Sequence, residues 1–182
     1  MERSMKRHGG GSAVEAMSLS EARRWARAGV LAALALVLGY VETFIPLPIP
    51  VPGIKLGLGN IVVLVALVML DLRSAALVAL VKVLAAGFLF GNPLMMLYSA
   101  GGTTLAFAAM ALLLHVNGLS LVFVAIAGAV LHNVGQLAVA AAVLGTGAVW
   151  ASAPVLVIAA CATGALTGVA ASYTVACLES GR

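Results

Sequence analysis

The chain has 182 residues, of which 63% are hydrophobic and only 9% are charged, and its formal net charge is +4. About a quarter of the residues of a soluble domain are charged, so this composition excludes an ordinary water-soluble protein and indicates one embedded in a membrane. Most of the excess positive charge lies near the N-terminus, and no basic patch is interleaved with aromatic residues, so nucleic acid is excluded as a partner.

The first predicted elements are an N-terminal tail and a long helix. Residues 1–17 are polar and glycine-rich, and we predict a disordered tail there, in front of a single transmembrane domain over residues 18–182. Ser18 and Glu21 have the spacing of a capping box at the start of a helix. In such a box the side chain of each of the two residues accepts a hydrogen bond from the backbone N–H group of the other. Helix one is therefore expected from about Leu19 to Phe44.

Five further helices are predicted from apolar runs that end at turn-forming residues. A helix needs about 20 apolar residues to cross the hydrocarbon core of a bilayer, and most of these runs approach that length. The predicted helices are Leu56–Leu70, Ser74–Phe90, Leu94–His115, Leu119–Leu144 and Val149–Leu178. We therefore predict an all-α membrane protein, a bundle of about six transmembrane helices in contact with the lipid bilayer.

The arginines and lysines predict how the bundle is oriented. With the N-terminus in the cytoplasm, the basic residues of the tail and of the first turns of helix one lie inside, as do Arg73 and Arg182, while Lys55 lies in an outer loop. This arrangement satisfies the positive-inside rule. We predict a multi-pass protein of the cytoplasmic membrane with its N- and C-termini in the cytoplasm.

The connection between helices one and two contains the segment FIPLPIPVPGIKLGLGN, with four prolines at every second position. Proline fixes its own φ and disfavours helix at the residue before it. Pro46–Pro52 is therefore expected to be extended, close to polyproline II. Two interpretations stay open: a lid across an outer cavity, or a stiff connector that binds nothing.

Three glycines follow the prolines. Gly53, Gly57 and Gly59 permit irregular backbone, which is tolerated at membrane depth only where it is buried in protein or lines a cavity. Free backbone N–H groups at the start of helix two, with Lys55 and Asn60 beside them, would suit an anionic ligand. The alternative is that Lys55 only reaches toward the lipid headgroups.

A lysine lies near the middle of helix three. Insertion scales assign roughly 2.5–3.5 kcal/mol to a lysine at a helix centre, so Lys82 is expected to face the interior of the bundle. Glu42, near the outer end of helix one, is the carboxylate best placed to pair with it. Both residues are candidate ligand-binding residues, and the alternative is a purely structural ion pair between them.

Polar side chains also cluster in helix five, in the segment LHNVGQ. His132 and Gln136 are one turn apart and Asn133 is about 100° away, so the three side chains share one side of the helix. They could bind a ligand or could instead bond across helices as packing contacts. Asn92 and Tyr98, around the start of helix four, are further candidates for lining the pocket, although Asn92 also fits a simple turn.

Small residues form a stripe along helix one, at Ala28, Ala32, Ala35 and Gly39. Such stripes let helices approach closely. The stripe is interpreted either as a docking surface for a partner membrane protein or as a packing contact inside the bundle.

Motifs for catalysis are missing from the sequence. There is no Walker loop for ATP, and Asp71 is the single aspartate, so no aspartate pair can hold magnesium on a diphosphate. We predict no metal, no cofactor and no catalysis by this chain on its own.

Three stretches of the chain resemble a known membrane family. IPLPIPVPGIKLGLGNIVVL, GFLFGNPLMMLYSAGG and AGAVLHNVGQLAVAA look like the heptaprenyl diphosphate synthase component I family, also called the Gx transporter family, and the likeness extends over about Ala26–Leu178. Lys82 stands where many members have arginine. Lysine keeps the positive charge but cannot make the bidentate hydrogen bonds of a guanidinium group. The stretch LGLGN also departs from relatives that commonly have alanine before the asparagine.

The resemblance implies two functions. The family is similar to the substrate-binding S components of energy-coupling factor transporters, six-helix proteins with an outward-facing pocket, a lid loop after helix one and an alanine stripe that docks a coupling subunit. The chain would then bind a small anionic or amphipathic molecule for uptake, with a coupling membrane subunit and ATPases as partners. The alternative is a non-catalytic membrane component of a heptaprenyl diphosphate synthase system in isoprenoid or quinone biosynthesis, partnered by a soluble prenyl synthase.

Overall fold

The computed structural model describes residues 9–45 and 54–180, and the regular structure of these residues is entirely helical. A short 3-10 turn over Gly147–Ser152 leads into the last helix. The α-helices are α1 Gly9–Glu42, α2 Asn60–Met69, α3 Leu72–Phe90, α4 Pro93–Leu113, α5 Leu121–Leu144 and α6 Ala153–Ser180. The predicted lid or connector, Pro46–Pro52, lies outside the described residues.

Five of these helices are long and apolar enough to cross a membrane: α1 from Leu19, α3, α4, α5, and the 3-10 turn together with α6. The chain is therefore a multi-pass membrane protein. The other helix, α2, has only 10 residues. At the rise of an α-helix its length is about 15 Å, which is half the thickness of a bilayer core. The short helix predicted over Leu56–Leu70 starts four residues later than expected, at Asn60, because Gly57 adopts a left-handed φ of +85° that is not helical.

The start of α1 also differs from the prediction. The helix begins at Gly9 and not near Leu19, so it extends into the segment predicted to be a disordered tail. Residues 13–17, AVEAM, include strong helix formers, and the helix continues through them. Ser18 and Glu21 therefore lie inside the helix, and their capping-box spacing does not mark its N-terminus.

Local capping sets the starts of α3, α4 and α5 and the end of α5. Asp71, Asn92 and Ser120 each stand immediately before a helix, and each side chain accepts a hydrogen bond from a backbone N–H group in the first turn of that helix. Gly145 ends α5 in the left-handed conformation, with φ of +64°. These are residue types that favour such positions, and the predicted bounds of α3, α4 and α5 agree with the structure to within two residues.

The short helix α2 lies at the centre of the bundle and contacts each of the five longer helices. A helix that is apolar on all sides is expected to be buried, and the side chains of residues 62–66 are all buried. Around it, α5 packs closely between α4 and α6. The close approach needs glycine, because a Cβ atom at Gly135 would lie 2.6 Å from the carbonyl oxygen of Gly101, and one at Gly164 would lie 2.6 Å from Cα of Ile126.

The stripe of small residues on α1 lies inside the bundle. Ala28, Ala32 and Ala35 are buried in one apolar cluster with residues of α2 and α3, such as Ala66 and Ala75. In this structure they let α1 approach α2 and α3, as the packing interpretation expects, and a role in docking a partner stays a prediction. Gly39 is half-buried, and a Cβ atom there would meet nothing within 4 Å.

Candidate functional site

The segment before α2 is held against the bundle by one side chain of α5. Ile54 and Leu56 are buried, and between them Lys55 is clamped through its backbone. The carboxamide of Gln136 accepts a hydrogen bond from the Lys55 N–H group at 2.9 Å and donates one to the Lys55 carbonyl at 3.1 Å. Gln136 thus pairs with Lys55 as a neighbouring strand would, and residues 54–59 can stay non-helical without losing these hydrogen bonds.

The N–H groups that precede α2 bind a carboxylate of the protein itself. Glu42, at the end of α1, accepts hydrogen bonds from the backbone N–H groups of Gly57 and of Leu58, the latter at 3.2 Å. We predicted that free N–H groups here would suit an anionic ligand. In the structure that anion is Glu42, so a ligand at this point competes with the Glu42 carboxylate.

Glycine is required at position 57 for two reasons. Its φ of +85° lies in the left-handed region, which residues with a side chain rarely adopt. A Cβ atom there would also lie 2.7 Å from Nδ2 of Asn60 and 2.7 Å from Cδ2 of His132. The backbone at Gly57 therefore touches both α2 and α5, and it joins the polar residues of these helices into one cluster.

Lys82 is buried, with 6% of its surface exposed. Its ammonium group donates a hydrogen bond of 2.6 Å to Oδ1 of Asn60, the first residue of α2. Among the described residues the ion pair within 4 Å joins Arg24 and Asp71, so the direct ion pair between Lys82 and Glu42, which was the alternative interpretation, does not form. The buried lysine is held by a neutral amide, and its remaining N–H groups can bind a further acceptor.

The polar cluster of α5 is buried but points to two different neighbours. Gln136 contacts Nε2 of His132 through its amide nitrogen, which makes Nε2 the acceptor and places the imidazole proton on Nδ1. That Nδ1 atom lies against Gly102 of α4. Asn133 instead donates a hydrogen bond of 3.0 Å to the carbonyl of Leu156 on α6, so it bonds across helices, as the alternative interpretation predicted.

Several buried polar atoms have no hydrogen-bond partner among the described residues. An unpaired buried polar group costs about 1–3 kcal/mol, so a group of them indicates either a ligand or a water at the site. The unpaired atoms are Nδ2 of Asn60, Oγ1 of Thr103, Nδ1 of His132, Oδ1 of Asn133 and Oγ of Ser152. Asn60 and His132 both contribute unpaired N–H donors, and both adjoin Gly57.

A small cavity of about 10 Å³ adjoins this cluster. Its volume corresponds to about one water molecule, so residues 54–59 close the site in this structure. Gly57 and Asn60 line the cavity, opposite Thr163 and Thr167 of α6. The two threonines were not predicted, because single hydroxyls in an apolar helix ordinarily bond back to the preceding turn, as both do here.

The two remaining predicted site residues lie apart from the charged groups. Asn92 is exposed and caps α4 by accepting a hydrogen bond of 2.9 Å from the Met95 N–H group. It therefore caps α4 from the turn before that helix, which agrees with the interpretation of Asn92 as a turn residue, and a role in ligand binding stays a prediction. Tyr98 is buried in an apolar cluster that includes Ile54 and Leu137, where it supports the segment that bears Lys55.

The described residues contain no group of three or more histidine, cysteine, aspartate or glutamate side chains that could hold a metal ion. We define the polar cluster as the side chains of Glu42, Asn60, Lys82, His132 and Gln136 together with Lys55, whose backbone is bound by Gln136. Hydrogen bonds join Lys82 to Asn60 and Gln136 to His132. The backbone of residues 55–58 connects these pairs to Glu42. Its chemistry is that of hydrogen bonding and charge.

Comparison with known proteins gives one family. The family model for heptaprenyl diphosphate synthase component I matches residues 31–174, a region that includes the whole polar cluster. Comparisons with curated proteins and with solved structures find no significant match. The family match covers most of the chain and agrees with the resemblance of its three sequence stretches, and the protein therefore belongs to the heptaprenyl diphosphate synthase component I family.

Proposed function

We propose that this protein is an integral membrane component that binds a small anionic or amphipathic molecule for uptake. The observation that supports this most strongly is the polar cluster itself, buried in a bundle whose outer surface is apolar. Ionisable residues inside a membrane protein are costly and ordinarily mark a ligand or ion pathway. Unpaired N–H donors on Asn60 and His132 supply contacts that a ligand would complete.

The charges of the cluster favour an anion. Lys82 is buried and Lys55 is half-buried, whereas Glu42 is the single acidic member of the cluster. Two ammonium groups against one carboxylate leave an excess of positive charge in a region of low dielectric, where it attracts an anion more strongly than in water. The apolar side chains around the small cavity, such as Leu64 and Met110, suit a ligand with an apolar part.

A ligand larger than a water molecule enters only if residues 54–59 move. Two sets of contacts oppose that movement: the paired hydrogen bonds between Gln136 and Lys55, and the hydrogen bonds that the backbone N–H groups of Gly57 and Leu58 donate to Glu42. Hydrogen bonds of this kind contribute about 1 kcal/mol each, so they can be exchanged for contacts with a ligand. The segment would then act as a lid.

The second candidate function is a non-catalytic membrane component of a heptaprenyl diphosphate synthase system. The observation that favours it is the description of the matched family. The sequence has one aspartate, Asp71, which lies in the turn before α3 and caps that helix. Catalysis on a prenyl diphosphate would therefore belong to a soluble partner, and the polar cluster would be a diphosphate or lipid site.

One experiment separates these two functions. The protein is purified gently by affinity from its native membranes, and mass spectrometry identifies the proteins and small molecules that come with it. Coupling ATPases together with a membrane subunit and a bound metabolite would support uptake. A prenyl synthase with a polyprenyl diphosphate would support the second function and contradict the first.

A second experiment tests the polar cluster. Lys82→Met keeps the approximate length of the side chain but removes its charge, and it is expected to lower the amount of bound anion per mole of protein about 10-fold or more. Lys82→Arg keeps the charge and is expected to retain part of the binding. Arg73→Met removes an exposed cation from the same helix and is the matched control. Equal ligand content in Lys82→Met and Arg73→Met would remove Lys82 from the site.

A further inference from the structure

A second basic region lies away from the polar cluster, near the start of the apolar part of α1. There an open groove of about 360 Å³ runs between α1 and the turn from α2 to α3. Its volume is within the range of ligand sites in proteins. The groove is lined by Ser20, Arg23, Arg24, Arg27, Met69, Leu70 and Asp71.

The charge of this groove is strongly unbalanced. Three arginines line it against one aspartate, Asp71. The Asp71 carboxylate already accepts hydrogen bonds from the N–H and hydroxyl groups of Ser74, at 2.9 and 2.8 Å, and lies 3.6 Å from the guanidinium of Arg24. Within the described part of the chain, Arg23 and Arg27 form no ion pair. They are four residues apart and so project from the same face of α1.

The surroundings of the groove are those of a membrane interface. Trp25 is 49% exposed, and the guanidinium of Arg24 lies over its ring at 5.4 Å from the centroid. Tryptophan is enriched at the level of the lipid headgroups. Beyond Arg27, the exposed side chains of α1 are apolar, with Val30 and Leu34 on the outer surface, and Met69 and Leu70 form an apolar wall of the groove itself.

We propose that this groove binds the phosphate headgroup of an anionic membrane phospholipid, with the acyl chains lying along the apolar surface of α1. Guanidinium groups bind phosphate oxygens in a two-pronged geometry, and basic pockets between helices at the headgroup level are suited to anionic lipids. An inorganic phosphate would satisfy the guanidinium groups equally well. The apolar wall and the neighbouring lipid-facing side chains favour the lipid over a soluble anion.

The test uses the fluorescence of Trp25. The sequence has two tryptophans, so a full-length Trp150→Phe chain leaves Trp25 as the sole emitter. This chain is placed in phosphatidylcholine nanodiscs that contain a series of increasing mole fractions of either brominated phosphatidylglycerol or brominated phosphatidylcholine, and the mole fraction that gives half-maximal quenching is compared between the two lipids. The expected result is that phosphatidylglycerol quenches Trp25 at a mole fraction at least fivefold lower.

Two variants show whether the groove itself is responsible. Arg27→Gln is expected to reduce the preference for phosphatidylglycerol about fivefold, the contribution of one arginine at an anionic surface. Arg73→Gln removes the same charge from an exposed position that does not line the groove, and it is expected to leave most of the preference. Equal quenching by the two lipids, or equal effects of the two substitutions, would overturn the proposal.

A third arm distinguishes the lipid from a soluble anion. Inorganic phosphate is added to the Trp150→Phe nanodiscs and compared with sodium chloride at the same ionic strength. A lipid held through both its headgroup and its acyl chains should be displaced equally by the two salts, because at equal ionic strength both salts screen the charges of the groove to the same extent. Selective loss of the preference in phosphate would show that the groove binds free phosphate, and the lipid assignment would then be wrong.

Discussion

Replacing Gln136 with leucine tests how residues 54–59 are held in place. Leucine has nearly the same size but cannot make the two hydrogen bonds to Lys55, at 2.9 and 3.1 Å. Each backbone group left unpaired costs about 1–3 kcal/mol when buried. Because Lys55 is half-buried, the low end applies, and the two groups together give about 2–3 kcal/mol. Opening of the segment should become about 30- to 150-fold more favourable.

Hydrogen exchange followed by mass spectrometry, in detergent, measures this opening directly. In Gln136→Leu the amides of residues 54–59 should exchange about 30- to 150-fold faster, while α3 and α4 keep their protection. Asn133→Leu is the matched control, because Asn133 is equally buried on the same helix but bonds to Leu156 of α6. Unchanged exchange in Gln136→Leu, or equal acceleration in the two variants, would refute this account of the segment.

Three further predictions concern stability in detergent. Gly57→Ala and Gly118→Ala both place a side chain at φ near +85°, which costs about 1–2 kcal/mol, but a Cβ atom at Gly118 meets nothing within 4 Å. Gly57→Ala should therefore lower the Tm more, and equal shifts would contradict the observed contacts. Hydrogen bonds from the Ser74 N–H and hydroxyl groups hold the pKa of Asp71 below its ordinary value, so its contribution to stability is present above that ordinary value and is lost as the pH falls through the lowered one. Asp71→Asn should flatten the acid end of a plot of Tm against pH, and an unchanged slope would argue against this cap. Thr103→Val removes a buried hydroxyl that has no hydrogen-bond partner among the described residues and should leave the Tm equal or higher, whereas a marked fall would indicate that this hydroxyl makes a hydrogen bond.

The residues of the polar cluster were predictable to different degrees. A lysine within an apolar helix, and a histidine and a glutamine one turn apart, are visible in the sequence, and the structure brings Lys82, His132 and Gln136 into one connected cluster with Glu42. Their partners were not visible. Glu42 was considered as an ion-pair partner for Lys82, but it binds backbone N–H groups 15 and 16 residues along the chain, because the fold places the end of α1 beside the start of α2.

What the sequence by itself determined is local or compositional. Low charge and long apolar runs indicated a membrane protein, and turn-forming residues such as Asp71 and Gly145 bounded the apolar runs, so that the predicted ends of α3, α4 and α5 lie within two residues of the observed ones. Only the tertiary structure decided that α2 is a short central helix, that Ala32 faces the bundle, and that Gln136 clamps Lys55 across 81 residues. These features depend on which surfaces meet after the chain has folded, and no local propensity contains that information.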